Sequence, residues 1–125
     1  MSNEIAIKPD TALTDIQKEF NACFPFLNIE FSAHAKGLNA LRSFKLNPET
    51  TINKIIILHE QVLLNIGEER TVAEVEKDFR EKLGLNVQIF RKSGKVWNVI
   101  TLTDSWTLKS QNKAAEFIST EMTLI

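Results

Sequence analysis

The sequence predicts an α+β fold, in which a βαββ(α) unit occurs twice within one domain that has a mainly antiparallel sheet and pseudo-two-fold symmetry. The main observation is self-similarity at an offset that drifts from 59 to 56 residues. The matched segments are residues 13–20 with 72–79, 27–31 with 85–89, and 44–46 with 100–102. A chain of 125 residues can bury one shared core, whereas either half alone would be marginal. We therefore expect residues 1–125 to form a single domain, with internal repeats at about 4–60 and 61–119.

Each half opens with a strand and continues with an amphipathic helix. The strands are predicted at residues 5–7 and 62–66, where apolar residues cluster. The helices follow from apolar residues at a period near 3.6, and Thr71 with Glu74 forms a capping box at the start of the second helix. Pro25 ends the first helix and Gly84 the second. The predicted core residues on these helices are Leu13, Ile16, Phe20, Phe24, Val72, Val75, Phe79 and Leu83.

A hairpin follows each helix. In the second half, strands 85–91 and 96–103 flank a turn that we place at Ser93-Gly94, which pairs Phe90 with Trp97. Alternation then predicts one core face, made of Leu85, Val87, Ile89, Ile100 and Leu102. In the first half, the matching hairpin has a longer loop, from about residue 32 to residue 40.

Each half closes with a further segment. Residues 109–118 have a helical pattern. Residues 51–58 hold the same place in the first half, and their run of β-branched residues fits a strand nearly as well as a helix. The repeat favours a short helix there.

Composition and termini exclude several classes of protein. The formal net charge of −1 provides no global basic field for nucleic acid or membrane. The longest apolar runs are far too short to span a bilayer, and the N-terminus lacks the apolar stretch of a secretory signal. One cysteine allows no intramolecular disulfide and no cysteine metal cluster. We expect a cytoplasmic protein that does not bind membranes.

The sequence identifies no catalytic, cofactor-binding or metal-ligating residue. His59-Glu60 begins like the helix motif of zinc proteases, but Leu63 stands where the second histidine is needed. Cys23 falls on the apolar stripe of the first helix, where we expect it to be buried. The carboxylates of the second helix fall on faces that we expect to be solvated. No cofactor is predicted.

The most distinctive surface candidate is the second hairpin. Its candidate partner-binding residues are Phe90, Arg91, Lys92, Lys95 and Trp97. Aromatic rings between lysines on an open sheet suit a protein partner, because aromatic residues dominate interface hot spots. They also suit single-stranded nucleic acid, through base stacking and phosphate contacts. A further interpretation is that a helix or the other half of the chain covers Phe90 and Trp97. Trp106 is expected to pack on the core at the start of the last helix.

The second half also carries a recognisable signature, TVxEVExxF, then GLNVQxFRKSGxxW, then TDxWTL, over residues 71–108. With this signature the chain resembles a family of small uncharacterised bacterial proteins. The resemblance covers nearly the whole second half and, more weakly, the first. It implies no activity, cofactor or catalytic residue.

These observations favour a non-catalytic protein-interaction or adaptor module that uses the hairpin of residues 90–97, with another protein as its partner. The first alternative is a module that binds single-stranded nucleic acid through the same hairpin. The second alternative is a small enzyme with a carboxylate site that sequence spacing does not reveal. The sequence does not indicate the oligomeric state.

Overall fold

The computed structural model describes residues 3–34 and 43–124, and within them it contains three α-helices and two antiparallel sheets. The elements in chain order are β1 (Glu4–Ile7), α1 (Leu13–Cys23), β2 (Leu27–His34), β3 (Ser43–Lys45), a 3-10 helix (Ile52–Lys54), β4 (Val62–Asn65), α2 (Val72–Leu83), β5 (Asn86–Ser93), β6 (Val96–Val99) and α3 (Leu108–Leu124). The α+β class expected from the sequence is therefore confirmed.

The larger sheet has four strands in the order β3-β2-β5-β6. Its central pair is β2 with β5, in which Ile29 lies opposite Ile89. The smaller sheet is the antiparallel pair of β1 and β4, in which Ile5 lies opposite Leu64. Because all four of these residues are buried, both sheets turn one apolar face toward a common core.

The helices contribute the remaining core side chains. All eight helical positions predicted as core are buried, since their relative exposure is 4% or less. Phe31 of β2 meets Phe79 of α2 edge to face, with ring centroids 5.9 Å apart. Phe20 and Phe24 lie 5.5 Å apart in a tilted arrangement. Such aromatic pairs add about 0.5–1.5 kcal/mol to the stabilisation from burial.

The N-terminal turns of α1 and α2 are held by backbone from the segment after each hairpin. In α1, the Leu13 N–H donates to the Thr50 carbonyl at 3.0 Å. In α2, the Val72 N–H donates to the Trp106 carbonyl at 3.2 Å. These bonds satisfy donors that have no partner within their own helix.

The predicted end signals of α2 are confirmed. Thr71 Oγ1 accepts from the Glu74 N–H at 3.1 Å, and Glu74 Oε1 accepts from the Thr71 N–H at 3.0 Å. Gly84 ends the helix with a φ of 64°, which is left-handed and favours glycine.

The register predicted for the second hairpin is wrong. The turn residues are Gly94 and Lys95, so that Lys92 rather than Phe90 lies opposite Trp97. The shift amounts to two residues along β6, and it therefore leaves the side chains of Val96–Val99 on their predicted faces. Leu102 is nevertheless 96% exposed, because β6 ends at Val99 and the chain turns away before Leu102.

Four other expectations concern Cys23, Trp106, residues 51–58 and the loop of the first hairpin. Cys23 is exposed rather than buried, because it is the last residue of α1 and Phe24 takes the core position. Trp106 is 45% exposed and packs only in part. The short helix favoured for residues 51–58 is the single 3-10 turn Ile52–Lys54. The loop predicted for the first hairpin lies mostly outside the described residues.

Candidate interaction surface

The larger sheet has a second face, opposite the core, which we call the outer face. The strand register and the alternation of side chains determine which residues belong to this face, and each of them is half-buried or exposed. Its members are Asn28, Glu30, Ser32, Lys45, Asn86, Gln88, Phe90, Lys92, Trp97 and Val99. The side chains are mostly polar, as expected for a sheet face in contact with water.

The outer face brings together most of the predicted binding residues. Trp97 is 40% exposed and lies opposite Lys92, while Phe90 is half-buried and lies opposite Val99. Neither ring is fully covered. Lys95 is exposed in the turn beside Trp97.

Arg91 is separated from the other predicted binding residues. It lies opposite Leu27 on one side and opposite Asn98 on the other, so alternation places it on the core side of the sheet. Its side chain is half-buried. The surface that contains Trp97 therefore draws its charge from lysines rather than from Arg91.

A shallow hollow lies beside Trp97, between the outer face and α1. Its volume is about 270 Å³, and its lining residues are Thr14, Gln17, Lys18, Asn21, Asn28 and Trp97. The Gln17 Nε2 donates to the Ile29 carbonyl at 2.9 Å. The Asn21 Nδ2 donates to the Leu27 carbonyl, also at 2.9 Å. These amides cover the edge of β2 where β3 no longer pairs with it.

The surface around Trp97 is basic. Lys92 lies opposite Trp97, Lys95 lies in the adjoining turn, and Lys18 lines the hollow, with Asp15 and Glu19 beside it on α1. Lys45 and Glu30 lie on the outer face nearer its other end. The Lys45 Nζ lies 3.0 Å from the Glu30 Oε1, so these two charges offset each other and the lysines that remain are Lys18, Lys92 and Lys95. Since the whole chain has a net charge of −1, this surface differs in sign from the rest of the protein.

The α3 helix supports the hairpin from the core side. The Ser119 hydroxyl donates to the Lys92 carbonyl and accepts from the Gly94 N–H, both at 3.2 Å. Nearer the start of α3, the Asn112 Oδ1 accepts from the Phe26 N–H at 2.9 Å. The two Ser119 bonds hold the turn that carries Lys95, and the Asn112 bond ties α3 to the residue before β2.

Glu76 is a half-buried carboxyl group that the sequence analysis placed on a solvated face. Its Oε2 accepts from the Ile89 N–H at 3.2 Å, at the point where pairing of β6 with β5 ends. The pKa of Glu76 is raised to about 7, mainly because burial disfavours the charged carboxylate. The hydrogen bond from the Ile89 N–H and the charge of Arg80 lower the pKa, whereas the charge of Asp104 raises it, and the value of about 7 includes all of these effects. In the sequence, Glu76 lies four residues after Val72 and three before Phe79, and this spacing places it beside the apolar stripe of α2.

Within residues 3–34 and 43–124, no group of three histidine, cysteine, aspartate or glutamate side chains is arranged to hold a metal ion. In the same part of the chain, no helix has the length and apolar character needed to cross a membrane.

Comparisons of the chain with protein-family models, with curated proteins and with solved structures give no match. The resemblance noted from the sequence therefore stays a prediction.

Proposed function

We propose that this protein is a non-catalytic, cytoplasmic protein-interaction or adaptor module, and that it binds its partner through the outer face at the β5–β6 hairpin. The observation that supports the proposal best is the position of Trp97, which is 40% exposed beside Lys92 and Lys95. A partly exposed tryptophan has a large apolar surface that a partner can bury, and tryptophan is enriched among interface hot spots.

Rigidity of the hairpin supports the same proposal. Ser119 bonds both Lys92 and Gly94, so the turn next to Trp97 is held in place before any partner arrives. Binding then orders fewer groups, which lowers the entropic cost of association.

A pull-down from the native cell tests this proposal. The bait is the full chain, and the variants are Trp97→Ala and the matched control Trp106→Ala, since the two tryptophans have similar exposures of 40% and 45%. We expect a protein that wild type and Trp106→Ala capture and that Trp97→Ala loses. Equal capture by both variants would contradict the proposal.

The second candidate is binding of single-stranded nucleic acid, which the lysines around Trp97 favour. Base stacking on Trp97 would contribute about 1–3 kcal/mol per base. Fluorescence anisotropy with mixed single-stranded DNA and RNA at 50 and 200 mM salt separates the two candidates. Micromolar binding that weakens steeply with salt and vanishes in Trp97→Ala would favour nucleic acid. We expect no such binding, because the net charge is −1 and the first-half residues of the outer face, Asn28, Glu30 and Lys45, provide no aromatic ring for stacking.

We also infer that residues of about 4–60 and 61–119 are two copies of one βαββ(α) unit, related by a pseudo-two-fold axis and fused into a single domain. The same backbone hydrogen bonds occur in both halves, and this supports the inference. From one half to the other, the residues at the start of the helix are offset by 59 positions and their bonding partners by 56. The paired bonds are Leu13 to Thr50 with Val72 to Trp106, Thr14 to Pro48 with Ala73 to Asp104, and Ile52 to Thr11 with Leu108 to Arg70.

Isolated bridges follow the same pattern. Ala12 pairs with Thr51 in the first half, and Thr71 pairs with Thr107 in the second. Strand pairing between the halves, β1 with β4 and β2 with β5, supports one shared core. Limited proteolysis tests the shared core, because release of a half that stays folded would contradict it.

A further inference from the structure

Strand β6 lies at an edge of the larger sheet. The Ile100 N–H donates to the Ile89 carbonyl at 2.9 Å. Backbone groups alternate in direction along an antiparallel strand, so those of Val96 and Asn98 point toward β5. Those of Trp97 and Val99 then point away from the sheet, where no strand of the described chain pairs with them. The outward edge offers two N–H donors and two carbonyl acceptors.

This edge lacks the features that usually prevent strand pairing. Natural edge strands are protected by proline, by charged residues or by bulges. The segment Val96–Val99 contains no proline and no charged residue, and its pairing with β5 is regular. Val96, Trp97 and Val99 are exposed by 57%, 40% and 40%. Such an edge is a template for one more strand.

Charge indicates what kind of strand fits. Lys92 and Lys95 flank Trp97, and Lys18 lies across the hollow from it. Glu30, further along the outer face, is paired with Lys45, and Glu76, at the end of β6 away from the turn, accepts from the Ile89 N–H. A second copy of this chain would bring a face of the same sign to the edge, whereas an acidic segment would neutralise the lysines.

We propose that β6 is a docking edge, to which a partner protein adds an extended, acidic segment as a fifth strand of the larger sheet. This inference rests on the proposed function and specifies how the partner binds. Backbone bonds to Trp97 and Val99 hold the added strand. Its alternate side chains lie along Trp97 and Val99 on the outer face, and its carboxylates lie near Lys92 and Lys95.

Selection from a random library of displayed twelve-residue peptides tests the chemistry of the partner. The target is the full wild-type chain, and the selected peptides are then labelled with fluorescein for anisotropy measurements. We expect enrichment of peptides that combine carboxylates with β-branched residues. Enrichment of basic peptides, or no enrichment, would overturn the proposal.

Two variants at one position test the backbone pairing. Val99→Pro removes an N–H that points away from β5, a position where edge strands tolerate proline. Val99→Ala is the matched control, because it truncates the side chain and keeps the N–H. We expect Val99→Pro to weaken the selected peptides at least tenfold relative to Val99→Ala, through the lost bond and the steric bulk of the ring. Equal affinity for the two variants would overturn the strand-addition mode.

Hydrogen exchange of the wild-type chain provides the same test without a variant. Bound peptide should slow exchange at the Trp97 and Val99 amides at least tenfold and leave the Asn98 amide, which already faces β5, unchanged. No slowing at Trp97 and Val99 would overturn the proposal. Sedimentation velocity completes the test, since a wild-type dimer that Val99→Pro dissociates would identify a second copy as the occupant and overturn the acidic partner.

The outcomes separate this inference from the proposed function. Peptides that bind Val99→Pro as well as Val99→Ala, but lose affinity for Trp97→Ala, would overturn strand addition and leave the interaction surface intact. Peptides indifferent to Trp97→Ala would count against both.

Discussion

Replacing Glu76 by glutamine should stabilise the folded protein above neutral pH. The carboxyl group is half-buried, and burial raises its pKa to about 7 from an ordinary value of 4.5. The Ile89 N–H donates to it at 3.2 Å, and a glutamine Oε1 at the same place can accept that bond. The substitution therefore keeps the hydrogen bond and removes the cost of burying a charge.

The sign of the effect follows from proton linkage. Between pH 4.5 and 7 the folded chain holds the Glu76 proton more tightly than the unfolded chain, so the free energy of unfolding falls as pH rises through this window. The pKa difference corresponds to about 3 kcal/mol as an upper limit. Because the carboxyl keeps some contact with water, screening reduces the expected effect to about 1–2 kcal/mol.

Urea unfolding at pH 4.5, 6 and 8 measures this effect. The stability difference between Glu76→Gln and wild type should be small at pH 4.5, grow with pH and level off above pH 7. Glu81→Gln is the control, because Glu81 lies on the same helix, is exposed, and makes only a long ion pair to Lys77 at 3.8 Å. A Glu76→Gln protein that is less stable than wild type at pH 8 would refute the reasoning.

The remaining predictions concern packing and helix ends, and all are measured as free energies of unfolding in urea. Phe20→Ala and Phe79→Ala should each cost about 3–5 kcal/mol, since both rings are fully buried, and a loss below about 1 kcal/mol would contradict the core assignment. Ala12→Ser should raise the stability by about 0.5–1 kcal/mol, because Ala12 caps α1 in an extended conformation without a side-chain bond. Thr71→Ala should lower it by about 1 kcal/mol, because it removes the side-chain cap of α2. Effects of the same sign for the two variants would contradict this assignment of the caps. Gly84→Ala should cost about 1 kcal/mol, because the φ of 64° is unfavourable for alanine. No atom lies within 4 Å of an added Cβ, so no steric clash adds to this cost. An unchanged stability would contradict the prediction.

Helix positions were predictable because they depend on local pattern. Leu13, Phe20, Val72 and Phe79 recur at a helical period, and a period fixes which face turns to the core whatever lies on the other side. The cap at Thr71 was predictable for the same reason, since it involves only residues of its own helical turn.

The hairpin register was not predictable in this way. Turns at Ser93-Gly94 and at Gly94-Lys95 place the same side chains on the same faces, so the apolar pattern does not distinguish them. Contact with α3 is specific to the observed turn, because Ser119 bonds Lys92 and Gly94 there.

Only part of the candidate surface was predictable from the sequence, because Arg91 lies on the core side of the sheet. Sequence pointed to Trp97 between lysines, and Lys92 and Lys95 do flank it. Lys18 was missed, because it reaches the hollow only when α1 packs beside β2. Glu76 was missed for the same reason, since its burial depends on how α2 packs on β5.

Strand pairing across the two halves also has a consequence for synthesis on the ribosome. β1 finds its partner β4 about 60 residues later, and β2 needs β5, which ends at Ser93. Closing such long loops slows folding relative to a chain with local contacts. A nascent chain stopped at residue 60 therefore leaves Ile5 and Ile29 without their strands, and we expect proteases to digest it. Resistance should arise only once β5 has emerged, and earlier resistance would show that the first half folds by itself.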